Sequence, residues 1–179
     1  MKKIISLFKR NYETDYLVRD EIVEGAEWVA NGEGLATRKV DGSCCMIRSG
    51  KLYRRYELKK GRQQPPDFEP TQEPDPVTGE QPGWIPIGDG PEDKWFRAAL
   101  KGNEPDGTYE LLGPKVNGNP EKFNEHILMI HGAILLPDAP RSFSGLKEWL
   151  RDKDIEGIVW HHPDGRMVKI KKRDFWRRR

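Results

Sequence analysis

The segment from Ile155 to Lys171 restricts the fold more than any other stretch. Two apolar runs, Ile155-Glu156-Gly157-Ile158-Val159-Trp160 and Met167-Val168-Lys169-Ile170-Lys171, flank Pro163-Asp164-Gly165-Arg166. Asp-Gly between two such runs is a strong hairpin signal, so an antiparallel pair is expected. A two-residue turn at Asp164-Gly165 sets Trp160 across from Lys169 and Ile158 across from Lys171. Side chains alternate between faces, so Glu156, Ile158, Trp160 and His162 would share a face with Met167, Lys169, Lys171 and Arg173. One acid and two lysines then point into one cleft. A three-residue loop would instead turn the lysines to the face opposite Glu156, and Lys-x-Lys on a solvated strand is the commoner outcome.

A second hairpin is expected earlier, Cys44 to Arg48 and Lys51 to Glu57 around Ser49-Gly50. Arg48 then pairs with Lys51, and Cys44 lies across from Arg55. Arg55 is either a site cation or a surface one, and a register slip of one residue would select Arg54. Upstream, Asn31-Gly32-Glu33-Gly34 reads as a turn and Leu35 to Lys39 as a strand running into Asp41-Gly42. A lysine at such a strand end has a fixed position. That suits a nucleophile wherever burial and nearby cations leave some amine neutral near pH 7.

The rest of the chain reads as connecting structure and core. Leu17-Val18, Ile22-Val23 and Trp28-Val29 read as short extended pieces. Eight of the 14 prolines lie from Pro65 to Pro91, so residues 62–94 are expected to form a long functional loop rather than helix or sheet, anchored by Trp84-Ile85-Pro86-Ile87. Pro91-Glu92-Asp93 opens a helix with Trp95, Phe96, Ala99 and Leu100 inward and Gly102 as the stop. Thr108 to Leu112 reads as a strand whose Glu110, among apolar neighbours, needs a partner. Ile127 to Leu136, the most apolar run, reads as a core strand pair or a central strand. Ser142 caps a helix to Leu150 with Leu146, Trp149 and Leu150 inward.

With 179 residues, one domain is expected. Charged residues make up 34% against 35% hydrophobic, so the core must be economical, and the net charge is only +2. The basic residues cluster: Lys169, Lys171, Lys172, Arg173, Arg177, Arg178 and Arg179 face one acid, Asp174, a tail that suits a polyanion or simply aids solubility. Two adjacent cysteines argue against a disulfide framework or a thiolate zinc site. No apolar run approaches membrane-spanning length, so a soluble, cytoplasmic protein is the expectation. There is no Gly-x-x-x-x-Gly-Lys-Ser/Thr loop. His161-His162 reads as hairpin surface.

Lys39-Val40-Asp41-Gly42 resembles motif I of the covalent nucleotidyltransferases, the superfamily of ATP-dependent DNA ligases, RNA ligases and mRNA capping enzymes. The strand bearing Glu110 resembles motif III, Ile155 to Trp160 motif IV, and Met167 to Lys171 motif V. Lys39-Val40-Asp41-Gly42-Ser43-Cys44-Cys45 and Tyr109-Glu110-Leu111-Leu112-Gly113-Pro114-Lys115 carry a closer likeness to a small ATP-dependent RNA ligase family. Its animal members join RNA 5′-phosphate to 3′-hydroxyl ends. The resemblance covers nearly all of the chain from Trp28 to Phe175. It implies an α+β nucleotidyltransferase (ligase adenylylation-domain) fold of antiparallel sheets with flanking helices.

The implied chemistry is adenylylation of Lys39 by ATP, transfer of AMP to an RNA 5′-phosphate, and attack by a 3′-hydroxyl. Lys169 and Lys171 would place charge on the α-phosphate oxygens. Thr37, Arg38, Asp41, Gly42, Arg55, Glu110 and Glu156 would bind the nucleotide, Glu110 at the ribose, the backbone at Thr37 and Arg38 at the purine edge, and Glu156 also through Mg²⁺ or Mn²⁺. DNA ligases usually carry arginine where this chain has Cys44, and Arg55 would supply that guanidinium from the next strand. Because motif V lies at the end of this sequence, no oligonucleotide-binding domain is expected after it, and RNA would be gripped by the catalytic domain through its basic tail and exposed aromatics. A capping-type guanylyltransferase shares motif I. A non-catalytic RNA-binding module would use the same lysines as phosphate contacts only.

Overall fold

The computed structural model describes residues 1–176; Arg177, Arg178 and Arg179, the end of the basic tail, lie outside the described residues. In chain order the strands are β1 (Ile5–Ser6), β2 (Phe8–Arg10), β3 (Val18–Ile22), β4 (Leu35–Lys39), β5 (Ser43–Arg48) and β6 (Lys51–Leu58). They continue as β7 (Glu69–Pro70), β8 (Gln81–Pro86), β9 (Gly107–Leu112), β10 (Ile127–Ile130), β11 (Gly157–His161) and β12 (Met167–Lys171). The helices are α1 (Glu27–Ala30), α2 (Lys94–Ala99) and α3 (Phe143–Arg151), with short 3-10 turns at Pro91–Asp93 and Lys172–Asp174. Mostly antiparallel sheets with few helices make the fold α+β, as expected. Among the described residues no helix is long and apolar enough to cross a membrane. The chain divides into two compact units, one made of Met1–Lys3 with Asp41–His131, the other of Ile4–Val40 with the chain from Gly132 on.

In the unit that contains Lys39, one sheet has the order β1-β12-β11-β4, with β1 parallel to β12 and the other pairs antiparallel. Alternation sorts its side chains into two faces. Ile158, Trp160, Val168 and Ile170, each at most 1% exposed, share a core with Leu146 and Leu150 of α3 and with Leu7 and Phe8. Burying such side chains contributes roughly 1.5–3 kcal/mol each, which sets the register. Ser142 caps α3 as expected, its Oγ accepting the Gly145 N–H at 3.2 Å. The other face carries Thr37, Lys39, Val159, Lys169 and Lys171.

This register differs by one residue from the expected one. Trp160 pairs with Val168 and Gly157 with Lys171. The turn is a three-residue loop, Pro163-Asp164-Gly165, closed by His162 N–H to the Arg166 carbonyl and Gly165 N–H to the His162 carbonyl, both 2.9 Å. Pro163 sets the first turn position and Gly165 takes the left-handed conformation at φ +92°, the usual pattern of a three-residue hairpin. The expected face shared by Ile158, Trp160 and the two lysines is therefore wrong. The apolar residues go inward and the lysines go to the other face.

In the other unit, six strands run in the order β10-β9-β5-β6-β8-β7, all antiparallel. The β5–β6 hairpin has the expected register, Arg48 with Lys51 and Cys45 with Arg54. Cys45, Ile47, Leu52, Tyr109 and Leu111 pack with Phe96 and Ala99 of α2. Three expectations fail on long-range partners. The proline-rich stretch contributes β8, paired with β6 from Tyr53–Pro86 to Leu58–Gln81. Because Ile87 N–H donates to the Leu52 carbonyl at 2.9 Å, alternate N–H groups point towards β6. Pro82 and Pro86 fall on the other parity, beside the two-residue β7, where few ladder bonds are needed. The apolar run from Ile127 is neither a strand pair nor a central strand: it supplies the edge strand β10, with Ile130 44% exposed, and near its end Leu135 makes an antiparallel bridge to Thr37 in the Lys39-bearing unit. In the Lys39-bearing unit, Trp28 and Val29 lie in α1 rather than in an extended piece, because Ala26, Trp28 and Val29 all bury and a strand would expose one of two neighbours.

Candidate active site

The β4–β11–β12 ladder places three lysines in two adjacent rows. Gly157 is paired with Lys39 on one side and Lys171 on the other, and Val159 with Thr37 and Lys169. Residues two apart share a face, so Lys39, Lys169 and Lys171 project together. Gly157 leaves the gap between Lys39 and Lys171. A Cβ there would lie 2.1 Å from the Ile170 carbonyl oxygen and 2.8 Å from Lys171 Cα, so no other residue fits unchanged.

Glu156 fills that gap from a bend just ahead of β11, where strand alternation does not dictate its direction. Its Oε2 lies 2.6 Å from Lys39 Nζ and its Oε1 2.8 Å from Lys171 Nζ. The three side chains are 14–20% exposed. Burial alone would raise the Glu156 pKa, but attraction to Lys39 and hydrogen bonds from Lys171 and Lys39 outweigh it and leave it lowered. Among the described residues Lys169 has no carboxylate paired with it: burial, then repulsion from Lys171 and Lys39, lowers its pKa to about 8. One carboxylate among three amines leaves a concentrated positive charge that favours a polyphosphate.

Thr37 Oγ1 donates to the Val159 carbonyl at 2.9 Å, and the Arg38 N–H donates to the Ile134 carbonyl at 2.8 Å. The Arg38 backbone donor, expected near a purine edge, is thus satisfied within this unit, as is the Thr37 hydroxyl.

The remaining predicted residues lie in the other unit. Asp41 N–H donates to Glu121 Oε1 at 3.0 Å, and Asn117 Nδ2 donates to Asp41 Oδ1 at 3.0 Å and to the Gly42 carbonyl at 2.8 Å. Gly42 is required by close approach, since a Cβ would lie 2.3 Å from the Leu111 carbonyl oxygen. Cys44, Arg55 and Glu110 line one cavity of about 440 Å³ with Arg54, Glu92 and Phe96. Arg55 bonds Glu57 at 3.2 Å and lies over the Trp84 ring at 5.3 Å.

Glu110 is 8% exposed, and the partner its burial demanded is His131, whose Nε2 lies 2.7 Å from Glu110 Oε2. The other ring nitrogen lies 2.9 Å from Thr108 Oγ1. Among the described residues, Cys44, Glu110 and His131 are the one group whose ligand atoms, all within 4.8 Å, could hold a metal ion. Their chemistry suits a borderline cation such as Zn²⁺. His131, Asn117 and Glu121 carry no sequence signal, because a long connection between β9 and β10 hides the register that would identify them.

Comparison with known proteins bears on the same residues. The family model RNA ligase 1 matches residues 100–176, a span that includes Glu110, Glu156, Lys169 and Lys171 but not Lys39. RNA ligase 1 of Mus musculus is 26% identical over 213 aligned residues, covering 76% of this chain and 65% of that protein, and the Rattus norvegicus protein gives the same values. RNA ligase 1 of Danio rerio is 38% identical over 72 residues, 35% of this chain and 22% of that protein. The chain spans just under two thirds of the length of the mouse and rat relatives. By these matches the chain is similar to RNA ligase 1 proteins, a likeness that supports an RNA-ligase-like reading.

Proposed function

We propose that the chain is an ATP-dependent RNA ligase that joins RNA 5′-phosphate and 3′-hydroxyl ends through a lysyl-AMP at Lys39. The clamp of Lys39 and Lys171 on Glu156, in line with Lys169, carries this reading, and the similarity to RNA ligase 1 supports it. Lys39 Nζ, having given up its proton, attacks the α-phosphate of ATP; a P–N bond forms and pyrophosphate departs. Lys169 and Lys171 offset the charge that grows on the non-bridging oxygens. An RNA 5′-phosphate oxygen then takes the AMP and frees the lysine. Finally a 3′-hydroxyl attacks that phosphate, forming the phosphodiester and releasing AMP.

Incoming phosphates compete with Glu156 for the two amines. Glu156 is then the carboxylate that would hold Mg²⁺ or Mn²⁺, whose chemistry is charge neutralisation on the phosphates; one carboxylate plus substrate oxygens and water is an ordinary set for such an ion. Glu110, oriented by His131, is assigned to the ribose hydroxyls, and Arg55 to the nucleotide beside it. Intact-mass measurement after incubation with ATP and Mg²⁺ tests the reading: an AMP adduct on the wild type and none on Lys39→Ala is expected. A GMP adduct from GTP with no AMP adduct would move the chain to capping-type guanylyltransfer. RNA binding with no adduct from either nucleotide would leave a non-catalytic RNA-binding module.

A further inference from the structure

Beside the lysine rows, in the same unit, lies a cavity of about 760 Å³ whose lining includes Arg10, Tyr16, Lys169, Arg173 and Trp176. Its two acids are already engaged. Asp15 is held by Arg19 at 2.9 Å, and Asp174 by Arg10 at 2.5 Å and by the Lys171 N–H at 2.9 Å. Lys169 and Arg173 belong to no ion pair among the described residues. The cavity therefore presents uncompensated positive charge.

One wall is the loop joining β2 to β3. Asn11 ties it together: its N–H donates to the Leu17 carbonyl at 2.9 Å, its carbonyl accepts the Tyr16 N–H at 2.8 Å, and its side chain accepts the Glu13 and Thr14 N–H groups. This closure holds Tyr16 at φ +59°, a left-handed conformation that an aromatic residue seldom adopts. Tyr16 nevertheless stays 61% exposed, and Tyr12, edge-on to it at 6.3 Å, 71% exposed. A strained backbone that holds the Tyr16 ring in water on the wall of a cationic cavity gains little from packing. It suits a ligand with a π-face and a strong negative charge.

We propose that this cavity docks the 5′-terminal nucleotide of a single-stranded RNA, the terminal phosphate against Lys169 and Arg173 and the first base stacked on Tyr16. The inference rests on the ligase reading and specifies which RNA end the site holds. Charge selects that end: a terminal phosphate carries nearly twice the charge of an internal one, and a 3′-hydroxyl carries none.

Fluorescence anisotropy with a short 5′-phosphorylated single-stranded RNA, its 5′-hydroxyl twin and a blunt 5′-phosphorylated duplex tests it. Tyr16→Asn removes the ring, and asparagine tolerates the left-handed backbone, so the loop keeps its shape. The wild type should prefer the 5′-phosphorylated strand about tenfold, Tyr16→Asn should weaken that binding about tenfold, Tyr16→Trp should restore it, and Arg173→Gln should erase the preference for phosphate. Equal binding of phosphorylated and hydroxyl strands, equal binding of the duplex, or wild-type binding by Tyr16→Asn overturns the proposal. Intact mass separates the two readings. An AMP adduct with wild-type binding by Tyr16→Asn rejects the docking site alone, whereas phosphate-dependent binding without an adduct rejects the ligase reading alone.

Discussion

Replacing Lys169 by methionine removes the charged head and keeps an unbranched stem of similar reach, so it isolates what holding an amine in this site costs. Burial, with Lys171 and Lys39 nearby, lowers the Lys169 pKa from the ordinary 10.5 to about 8. At ~1.4 kcal/mol per pH unit, the folded state disfavours the protonated amine by about 3 kcal/mol relative to the unfolded chain. Between pH 8 and 10.5 the unfolded chain keeps this proton while the folded protein loses it, so stability rises with pH across that window. Below pH 8 both states are protonated and the full penalty applies; above 10.5 neither is and it vanishes. Lys169→Met should thus be more stable than the wild type by about 3 kcal/mol at pH 7 and by about 1 kcal/mol at pH 10. Urea unfolding of both proteins at both pH values measures the change in the gap, and groups common to the two proteins cancel. A gap that is absent at pH 7, or the same at both pH values, refutes the account of a desolvated amine. Intact mass should find the stabilised variant slow to form the AMP adduct, since the charge that destabilises the fold is the one the proposed reaction uses.

Glu156→Gln leaves two part-buried amines without their carboxylate and should cost about 3–5 kcal/mol at pH 7. Because the folded-state pKa of Glu156 is lowered, its contribution is present above the ordinary 4.5 and lost as pH falls through the lowered value. Thermal melts at pH 7 and pH 3 should show the gap closing in acid; a pH-independent gap would remove the ion pair as its cause. Gly157→Ala sets a methyl group 2.1 Å from the Ile170 carbonyl oxygen, a backbone atom that cannot swing away. It should cost at least about 3 kcal/mol, a fall of about 6–12 °C in Tm, and melting within 2 °C of the wild type would contradict the close approach.

Local physics explains what could be read in advance. Strand β4 after its glycine turn, the β5–β6 register around Ser49-Gly50, the Ser142 cap and the need of Glu110 for a partner each depend on residues a few positions apart. The misread elements depend on distant partners. Trp28 is helical because three neighbouring residues must all bury. The proline-rich stretch enters a sheet because β6 accepts it on the parity that spares Pro82 and Pro86. Glu110 asks for a partner, but nothing short of the β9–β10 pairing names His131.

Short segments, together with their resemblance to the nucleotidyltransferase motifs, singled out Lys39, Glu156, Lys169 and Lys171, because a lysine ahead of Asp-Gly and an acid beside a hairpin are properties of a few neighbouring residues. Which face of the hairpin carries the amines was decided only in the folded sheet. A period of two says that a strand has two faces and leaves open which one is inside. Packing of Ile158, Trp160, Val168 and Ile170 against α3 selects the register with the three-residue loop. That register turns the lysines outward, and Glu156 reaches Lys39, 117 residues away in the chain, from a bend that strand alternation does not govern.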